Sequence, residues 1–279
     1  MKLSNNVMSM QFSPIRKFNG YAFDAKKAGK KVYHLNIGQP DISTPPAFLD
    51  AIRKFDENVL AYAESGGDLT LIDSIIRYFE RLGASFKEKD ILITNGGSEA
   101  LQMVFACLLD PGDEVLMAEP FYTNYHTFIS SAGGKIAPIT TTPEEGYFYA
   151  DAEKLEAAWN GRCRAIAIVN PGNPTGSILS EQDMKVICDF AVKHDLWIVA
   201  DEVYREFVYD GGKMSTFASV PDIRNRLVIV DSVSKRFSAC GARIGFAATK
   251  NEVLQEGLLK IAQGRLCCPT LEMVGAAAL

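Results

Sequence analysis

Short apolar runs alternate with longer amphipathic segments through most of the chain, and this alternation constrains the fold more than any other feature. The apolar runs have the length of β-strands and lie at Ile91–Thr94, Glu114–Ala118, Lys135–Ile139, Ala165–Val169, Trp197–Ala200, Leu227–Val230 and Ile244–Ala248. The segments with helical spacing between them are Glu99–Leu109, Phe121–Ser131, Ala152–Trp159 and Glu181–His194. Because the strands are apolar almost throughout, both faces of their sheet should be covered. The pattern predicts an α/β fold with three α-β-α layers around a mainly parallel, seven-stranded sheet.

The residues before these strands predict additional elements. Helical spacing runs from Ile15 to Ala28, and Val32–Ile37 has the composition of a short strand. Pro45 and Pro46 are typical of a helix start, and Leu69–Leu82 has the spacing of a further helix.

The composition is that of a globular protein, and it argues against several classes of function. The formal net charge of −5 gives no electrostatic attraction to nucleic acid or to an anionic membrane. The six cysteines and three histidines are scattered without ligand spacing, so we expect neither disulfides nor a bound metal. No apolar run approaches the roughly 20 residues of a membrane span, and the sequence predicts a cytoplasmic protein.

The segment Asp231–Gly245 connects two of the predicted strands and contains Lys235. A lysine between two buried strands is expected to be buried, and burial favours the neutral amine over the ammonium. A neutral amine is the nucleophile that forms a Schiff base with a carbonyl. An exposed loop lysine is the alternative, but Ser232, Ser234 and Arg243 are residue types that bind phosphate, and Gly241 and Gly245 permit close backbone approach.

Other strands of the predicted sheet are also followed by residues that can bind a ligand, as expected where parallel strands end. Gly97 and Ser98 open a helix and can bind an anion through backbone N–H groups, or can simply cap that helix. Tyr122 can stack on a flat heteroaromatic ring, or can be an ordinary half-buried tyrosine.

Two further strand ends carry polar groups. Asn173 lies in the rigid loop Asn170–Gly176, which contains two prolines and two glycines and is either a plain turn or a platform for the amide. Asp201 is either a helix cap or a buried carboxylate that needs a cation, such as a protonated ring nitrogen. Tyr204 follows Asp201 by three residues and can donate to the same oxygen as Asn173.

These motifs together resemble the class I/II aminotransferases, the fold type I family of pyridoxal-phosphate (PLP) enzymes. Ser232-Val-Ser-Lys235 with Gly241-Ala-Arg243-Ile-Gly245 is similar to the family's cofactor-lysine signature, and Asn170-Pro-Gly-Asn-Pro-Thr-Gly176 is highly specific to it. The resemblance implies that Lys235, Asp201 and Tyr204 are catalytic. It assigns the cofactor to these residues and to Gly97, Ser98, Tyr122, Asn173, Ser232 and Arg243.

The resemblance also implies a homodimer in which Tyr62 reaches the cofactor phosphate of the neighbouring subunit. Gly38 and Asn173 are expected to contact the substrate. Residues 1–45 would form an N-terminal arm and part of a small domain, and residues 46–279 the cofactor-binding large domain. Family members continue well beyond this length, so we expect a C-terminally truncated chain that lacks the remainder of the small domain and its carboxylate-binding arginine.

The implied reaction is ping-pong transamination between an amino acid and a 2-oxo acid such as 2-oxoglutarate. The donor would be aspartate-like, or aromatic or aliphatic. A PLP-dependent β-lyase and an inactive PLP-binding fragment stay open as alternatives. A regulator's effector domain is disfavoured because no DNA-binding segment is visible, and a nucleotide oxidoreductase because no Gly-x-Gly-x-x-Gly follows the first strand.

Overall fold

One seven-stranded sheet forms the centre of the molecule. The computed structural model describes the backbone of residues 1–279 and every side chain except that of Ser9. The strands are β1 (Ile91–Thr94), β2 (Glu114–Glu119), β3 (Lys135–Thr140), β4 (Cys163–Val169), β5 (Trp197–Asp201), β6 (Leu227–Ser232) and β7 (Gly245–Ala248). Their order is β1-β7-β6-β5-β4-β2-β3, and β7 is antiparallel to both neighbours while all other pairs are parallel. The predicted three-layer α/β fold is confirmed.

Helices cover both faces of this sheet. The helices of the chain are α1 (Asn5–Ser9), α2 (Asn19–Lys27), α3 (Pro46–Arg53), α4 (Leu69–Arg81), α5 (Gly96–Leu108), α6 (Asn124–Ser131), α7 (Ala152–Ala158), α8 (Glu181–Lys193), α9 (Val233–Arg236), α10 (Glu252–Arg265) and α11 (Thr270–Ala277). Buried side chains of α5, α6 and α10 share one apolar core, and those of α3, α4, α7, α8 and α11 share the other.

Neighbouring residues of one strand enter different cores, as the pleat requires. In β4, Ala165 belongs to the core with α5 whereas Ile166 belongs to the core with α8, and both are fully buried. A strand with two buried faces reads as a continuous apolar run, which explains why the sequence predicts the sheet so well.

Local side-chain bonds define where several helices begin. The Asp68 carboxylate accepts from the Leu71 backbone N–H at 3.0 Å and starts α4. Ser180 and Asp183 form a reciprocal capping box at the start of α8. No described helix is long and apolar enough to cross a membrane.

The predicted strand at Val32–Ile37 is wrong. These residues have no strand partner in the described sheet, and Leu35 is 94% exposed. The segment has the alternation of apolar and polar residues that is typical of a strand. No second strand of the described chain lies beside it to pair with its backbone N–H and C=O groups. The predicted helix Ile15–Ala28 is also divided, into a 3-10 turn at Pro14–Arg16 and the helix α2.

Candidate active site

A cavity of about 390 Å³ lies at the carboxyl ends of the central strands, as predicted for a parallel sheet. Its wall combines the ends of β4, β5 and β6 with the first turn of α5 and an N-terminal segment. The predicted site residues that line it are Gly38, Gly97, Ser98, Tyr122, Asn173, Asp201, Tyr204, Ser232, Lys235 and Arg243. Ten positions that are scattered over the sequence therefore meet in one place.

Lys235 lies on the single helical turn α9 and not on an open loop. The Ser232 hydroxyl accepts from the Ser234 backbone N–H at 3.3 Å and begins this turn. The Lys235 Nζ donates to the Gly38 carbonyl oxygen at 2.7 Å. Lys235 is half-buried and not buried as predicted, because the side chain runs along the wall of an open cavity.

Asp201 is the last residue of β5 and is nearly fully buried. Its carboxylate accepts from the Tyr125 hydroxyl at 2.9 Å and from the Val203 backbone N–H at 3.2 Å. It forms no ion pair with any described residue. Burial raises the pKa of Asp201 to about 6, and the two hydrogen bonds only partly oppose this. A cation beside this carboxylate would offset the cost of burying its charge.

Asn173 and Tyr204 are in contact within the cavity, as expected of two side chains that are predicted to donate to the same ligand oxygen. The Asn173 Nδ2 donates to the Tyr204 hydroxyl at 3.3 Å. Burial, and then the nearby Asp201 carboxylate, raise the pKa of Tyr204 to about 12, so its hydroxyl is protonated and can donate. Tyr122 is half-buried, and burial raises its pKa as well.

One end of the cavity is built from backbone and one guanidinium. Gly97 and Ser98 lie in the first turn of α5, where N–H groups lack helical partners. Arg243 donates to the Asn95 carbonyl at 3.2 Å, and a Cβ on Gly96 would lie 2.3 Å from the Arg243 Nη2. This end offers unpaired N–H donors and a positive charge, the combination that binds phosphate.

Gly245 and Gly241 differ, although both were expected to permit close approach. A Cβ on Gly245 would lie 2.6 Å from backbone atoms of Gly96 and Gly97, so β7 can pass the start of α5 only with glycine there. Nothing lies within 4 Å of the corresponding point on Gly241. The expectation is confirmed for Gly245 and wrong for Gly241, which faces open space.

Tyr62 stands apart from the other predicted residues. Its side chain is 79% exposed, and it does not line the cavity. It belongs to the segment before α4, which has no regular secondary structure.

Tyr125 and Arg16 are two of the cavity residues that sequence reasoning missed. Tyr125 is fully buried and donates to Asp201, and its spacing of three from Tyr122 could have placed both on one helix face. Arg16 lines the cavity from the N-terminal segment. Burial raises the pKa of Tyr122, and the Arg16 charge opposes this rise in part. No local sequence pattern identifies Arg16 as a cavity residue, because it is far in sequence from the strands whose ends form the cavity.

This set of groups fits the shape and charges of PLP. The cavity volume lies in the range of small-ligand sites, about 300–1,000 Å³. Asp201 supplies a buried carboxylate without a cation, the start of α5 with Arg243 supplies an anion site, and Lys235 supplies an amine. The geometry is therefore consistent with a flat ring that carries a phosphate, a basic nitrogen and a carbonyl.

Comparison with known proteins agrees with this geometry. The family model for aminotransferases of class I and II matches residues 30–279. The aspartate aminotransferase of Bacillus subtilis is 33% identical over 91% of this chain and 65% of its own length, and the aromatic-amino-acid aminotransferase 2 of Thermococcus litoralis is 32% identical over 100% and 71%. The solved structure of a single mutant of Thermus thermophilus aspartate aminotransferase superposes with a TM-score of 0.93 at 29% identity, covering 100% of this chain and 72% of that one.

These matches cover nearly all of this chain, while the chain spans about two thirds of the length of the curated relatives. The protein belongs to the class I and II aminotransferase family.

Proposed function

We propose that this protein is a PLP-dependent amino-acid aminotransferase. The observation that carries the proposal is that one cavity contains the Lys235 amine and the buried, unpaired Asp201 carboxylate. When bound, PLP supplies an aldehyde that bonds to amines and a ring that delocalises the charge left on a substrate carbon. The residues of this chain then have separate tasks.

Binding is divided among the walls of the cavity. Gly97, Ser98, Ser232 and Arg243 hold the phosphate, and Tyr122 stacks on the ring. Asp201 holds the protonated ring nitrogen, which stabilises the positive charge there. Asn173 and Tyr204 donate to the ring oxygen, and the hydrogen bond of 3.3 Å between the two side chains supports this pairing.

Lys235 has two tasks on this proposal. Its Nζ would hold the cofactor when no substrate is present. With an amino acid bound, the freed Nζ would accept the proton from the substrate Cα and carry it as an ammonium. Gly38 and Asn173 contact the substrate, and the first product leaves as a 2-oxo acid before a second 2-oxo acid takes up the amino group. The donor is aspartate-like, or aromatic or aliphatic.

The assembly and domain boundaries belong to the same proposal. Residues 46–279 form the cofactor-binding domain, and residues 1–45 form an arm and part of a small domain. The exposed Tyr62 is available to a second subunit, which supports a homodimer in which Tyr62 reaches the neighbouring phosphate. A cytoplasmic location stays a prediction.

Lys235→Ala tests the cofactor assignment directly. We expect the wild-type chain to acquire a visible absorbance with PLP and to retain the cofactor on a Lys235 peptide after borohydride reduction, as seen by mass spectrometry. Lys235→Ala should lose both signals. Lys185→Ala is a matched control, because Lys185 is an exposed lysine on α8. Unchanged absorbance and labelling in Lys235→Ala would refute the assignment.

Product analysis tests the reaction type. An amino-acid panel with 2-oxoglutarate should yield a new amino acid and a 2-oxo acid in equal amounts. Release of ammonia in place of the new amino acid would identify β-elimination instead.

A further inference from the structure

Four charged side chains form a cluster beside the cavity, at the ends of β5 and β6. Glu202 follows Asp201 directly, Asp231 lies in β6, and Arg205 and Arg236 are the two cations. The Glu202 and Asp231 side chains are 0% exposed, and that of Arg205 is 3% exposed. These two positive and two negative charges balance, and the half-exposed Glu206 carboxylate lies 3.9 Å from the Arg236 Nε at the edge of the cluster.

Asp231 contacts both ends of the turn that carries Lys235. Its Oδ1 accepts from the Ser232 backbone N–H at 2.7 Å, where that turn begins. Its Oδ2 accepts from the Arg236 Nη2 at 2.5 Å, where the turn ends. One carboxylate therefore holds the residues on either side of Lys235.

Arg205 connects this carboxylate to the strand that carries Asp201. The Arg205 Nη1 donates to the Asp231 Oδ2 at 3.0 Å, and its Nε donates to the Glu202 Oε2 at 2.9 Å. Glu202 is fixed in turn by the Phe217 backbone N–H at 2.9 Å and the Thr216 hydroxyl at 2.8 Å. The connection runs from Asp201 through Glu202, Arg205 and Asp231 to the Lys235 turn.

The ring of Tyr78 limits movement of both cations. The Arg236 guanidinium lies 4.1 Å from the ring centroid and the Arg205 guanidinium 5.4 Å. The Tyr78 hydroxyl also accepts from the Arg205 Nη1 at 3.1 Å. A planar guanidinium with several fixed partners has little freedom to shift.

We propose that Asp231, together with Arg205 and Arg236, is a positioning unit that fixes the Lys235 amine relative to the Asp201 carboxylate. This inference rests on the proposed function, in which those two groups bind one cofactor. The unit acts through the backbone of the Lys235 turn, and its carboxylate has no exposed surface with which to meet a substrate.

A purely stabilising role predicts a different result from a positioning role. Loss of stability would weaken every ligand of the cavity alike. A displaced Lys235 would weaken only a ligand that bonds to its amine. Pyridoxine 5′-phosphate separates the two, because it has the ring and phosphate of PLP but an alcohol in place of the aldehyde.

The experiment measures dissociation constants of PLP and pyridoxine 5′-phosphate for the full chain and for Asp231→Asn and Arg236→Gln. Arg236→Gln is included because Arg236 is more accessible, at 12% exposure, and its loss leaves the Asp231–Arg205 pair intact. The matched control is Asp195→Asn. It removes the ion pair between Arg226 and the Asp195 carboxylate, which is 95% exposed. Mass spectrometry after borohydride reduction first establishes that the wild-type chain is labelled at Lys235.

We expect PLP binding to weaken by about tenfold in Arg236→Gln and Asp231→Asn, because each change removes a charge-assisted hydrogen bond that orders the Lys235 turn, and PLP binding must then order that turn. Pyridoxine 5′-phosphate should bind all variants as it binds the wild type, and Asp195→Asn should bind both ligands normally. Unaltered PLP binding in Arg236→Gln, or equal weakening of both ligands, would overturn the inference; if Asp231→Asn does not fold, Arg236→Gln decides. Absence of Lys235 labelling in the wild type would instead overturn the proposed function and this inference with it.

Discussion

Asp201 and Glu202 are neighbours in sequence, yet their carboxylates lie in two opposite electrostatic environments. Glu202 belongs to the balanced cluster with Arg205, Asp231 and Arg236, and every charge there has a partner. Asp201 faces the cavity, where its carboxylate accepts two hydrogen bonds and forms no ion pair with a described residue. The protein supplies a cation for the buried Glu202 carboxylate, whereas the buried Asp201 carboxylate depends on a ligand for one.

The reason for this division is the pleat of the chain at the end of β5, which directs successive side chains to opposite sides. Buried ion pairs rarely add net stability, but removing one partner is costly. The cluster should therefore respond to mutation through folding, and Asp201 through pH and cofactor binding. Substitutions in the two regions can test this distinction.

Arg205→Gln should have the largest effect on stability. It leaves Glu202 and Asp231 buried without their shared cation, and we expect a loss of about 3–5 kcal/mol in the free energy of unfolding. Chemical denaturation followed by circular dichroism measures this. Arg53→Gln breaks the exposed pair with Asp50 and should cost only about 0–1 kcal/mol. Equal losses in the two variants would contradict the distinction.

Asp201→Asn should stabilise the cofactor-free chain, whereas Arg205→Gln destabilises it. The folded-state pKa of Asp201 is raised from 3.8 to about 6, so the native state binds more protons than the unfolded state between these pH values. The raised pKa therefore has no effect on the free energy of unfolding below about pH 4. Above about pH 6 it lowers the free energy of unfolding by its full amount, about 3 kcal/mol. Asp201→Asn removes this cost, so the variant should gain stability relative to wild type as pH rises from 4 to 6.

The measurement is the difference in free energy of unfolding between the two proteins across that pH range, which cancels the titration of other groups. PLP should bind the variant more weakly, because the amide cannot compensate a positive ring nitrogen. A difference that is independent of pH would show that Asp201 is satisfied without a ligand.

Tyr125→Phe should have the smallest of the three effects. It removes the hydroxyl that donates to the Asp201 carboxylate and holds its pKa down, so the pKa should rise above 6. We expect a loss of about 2 kcal/mol above that pH and much less near pH 4, where the carboxyl is protonated. Denaturation at both pH values checks this, with Asp201→Asn/Tyr125→Phe as control, because the pH dependence should vanish once the carboxylate is absent.

The sequence predicted the sheet and ten of the residues that line the cavity, because both depend on local patterns. Continuous apolar runs identify strands with two buried faces, and parallel strands bring their carboxyl ends to one edge. Lys235, Asn173 and Asp201 could be selected because each follows such a run. Val32–Ile37 failed for the same reason, since its apolar pattern is local while a strand also needs a partner.

Tertiary structure alone decided how the charges are paired. Nothing in the sequence indicates that Arg205 contacts both Glu202 and Asp231, or that Tyr125 donates to Asp201, because those partners are separated by as many as 76 residues. The hydrophobic pattern is a property of the linear sequence, and it specifies which segments are buried. Electrostatic compensation depends on distances across the folded core, and these exist only once the strands are assembled.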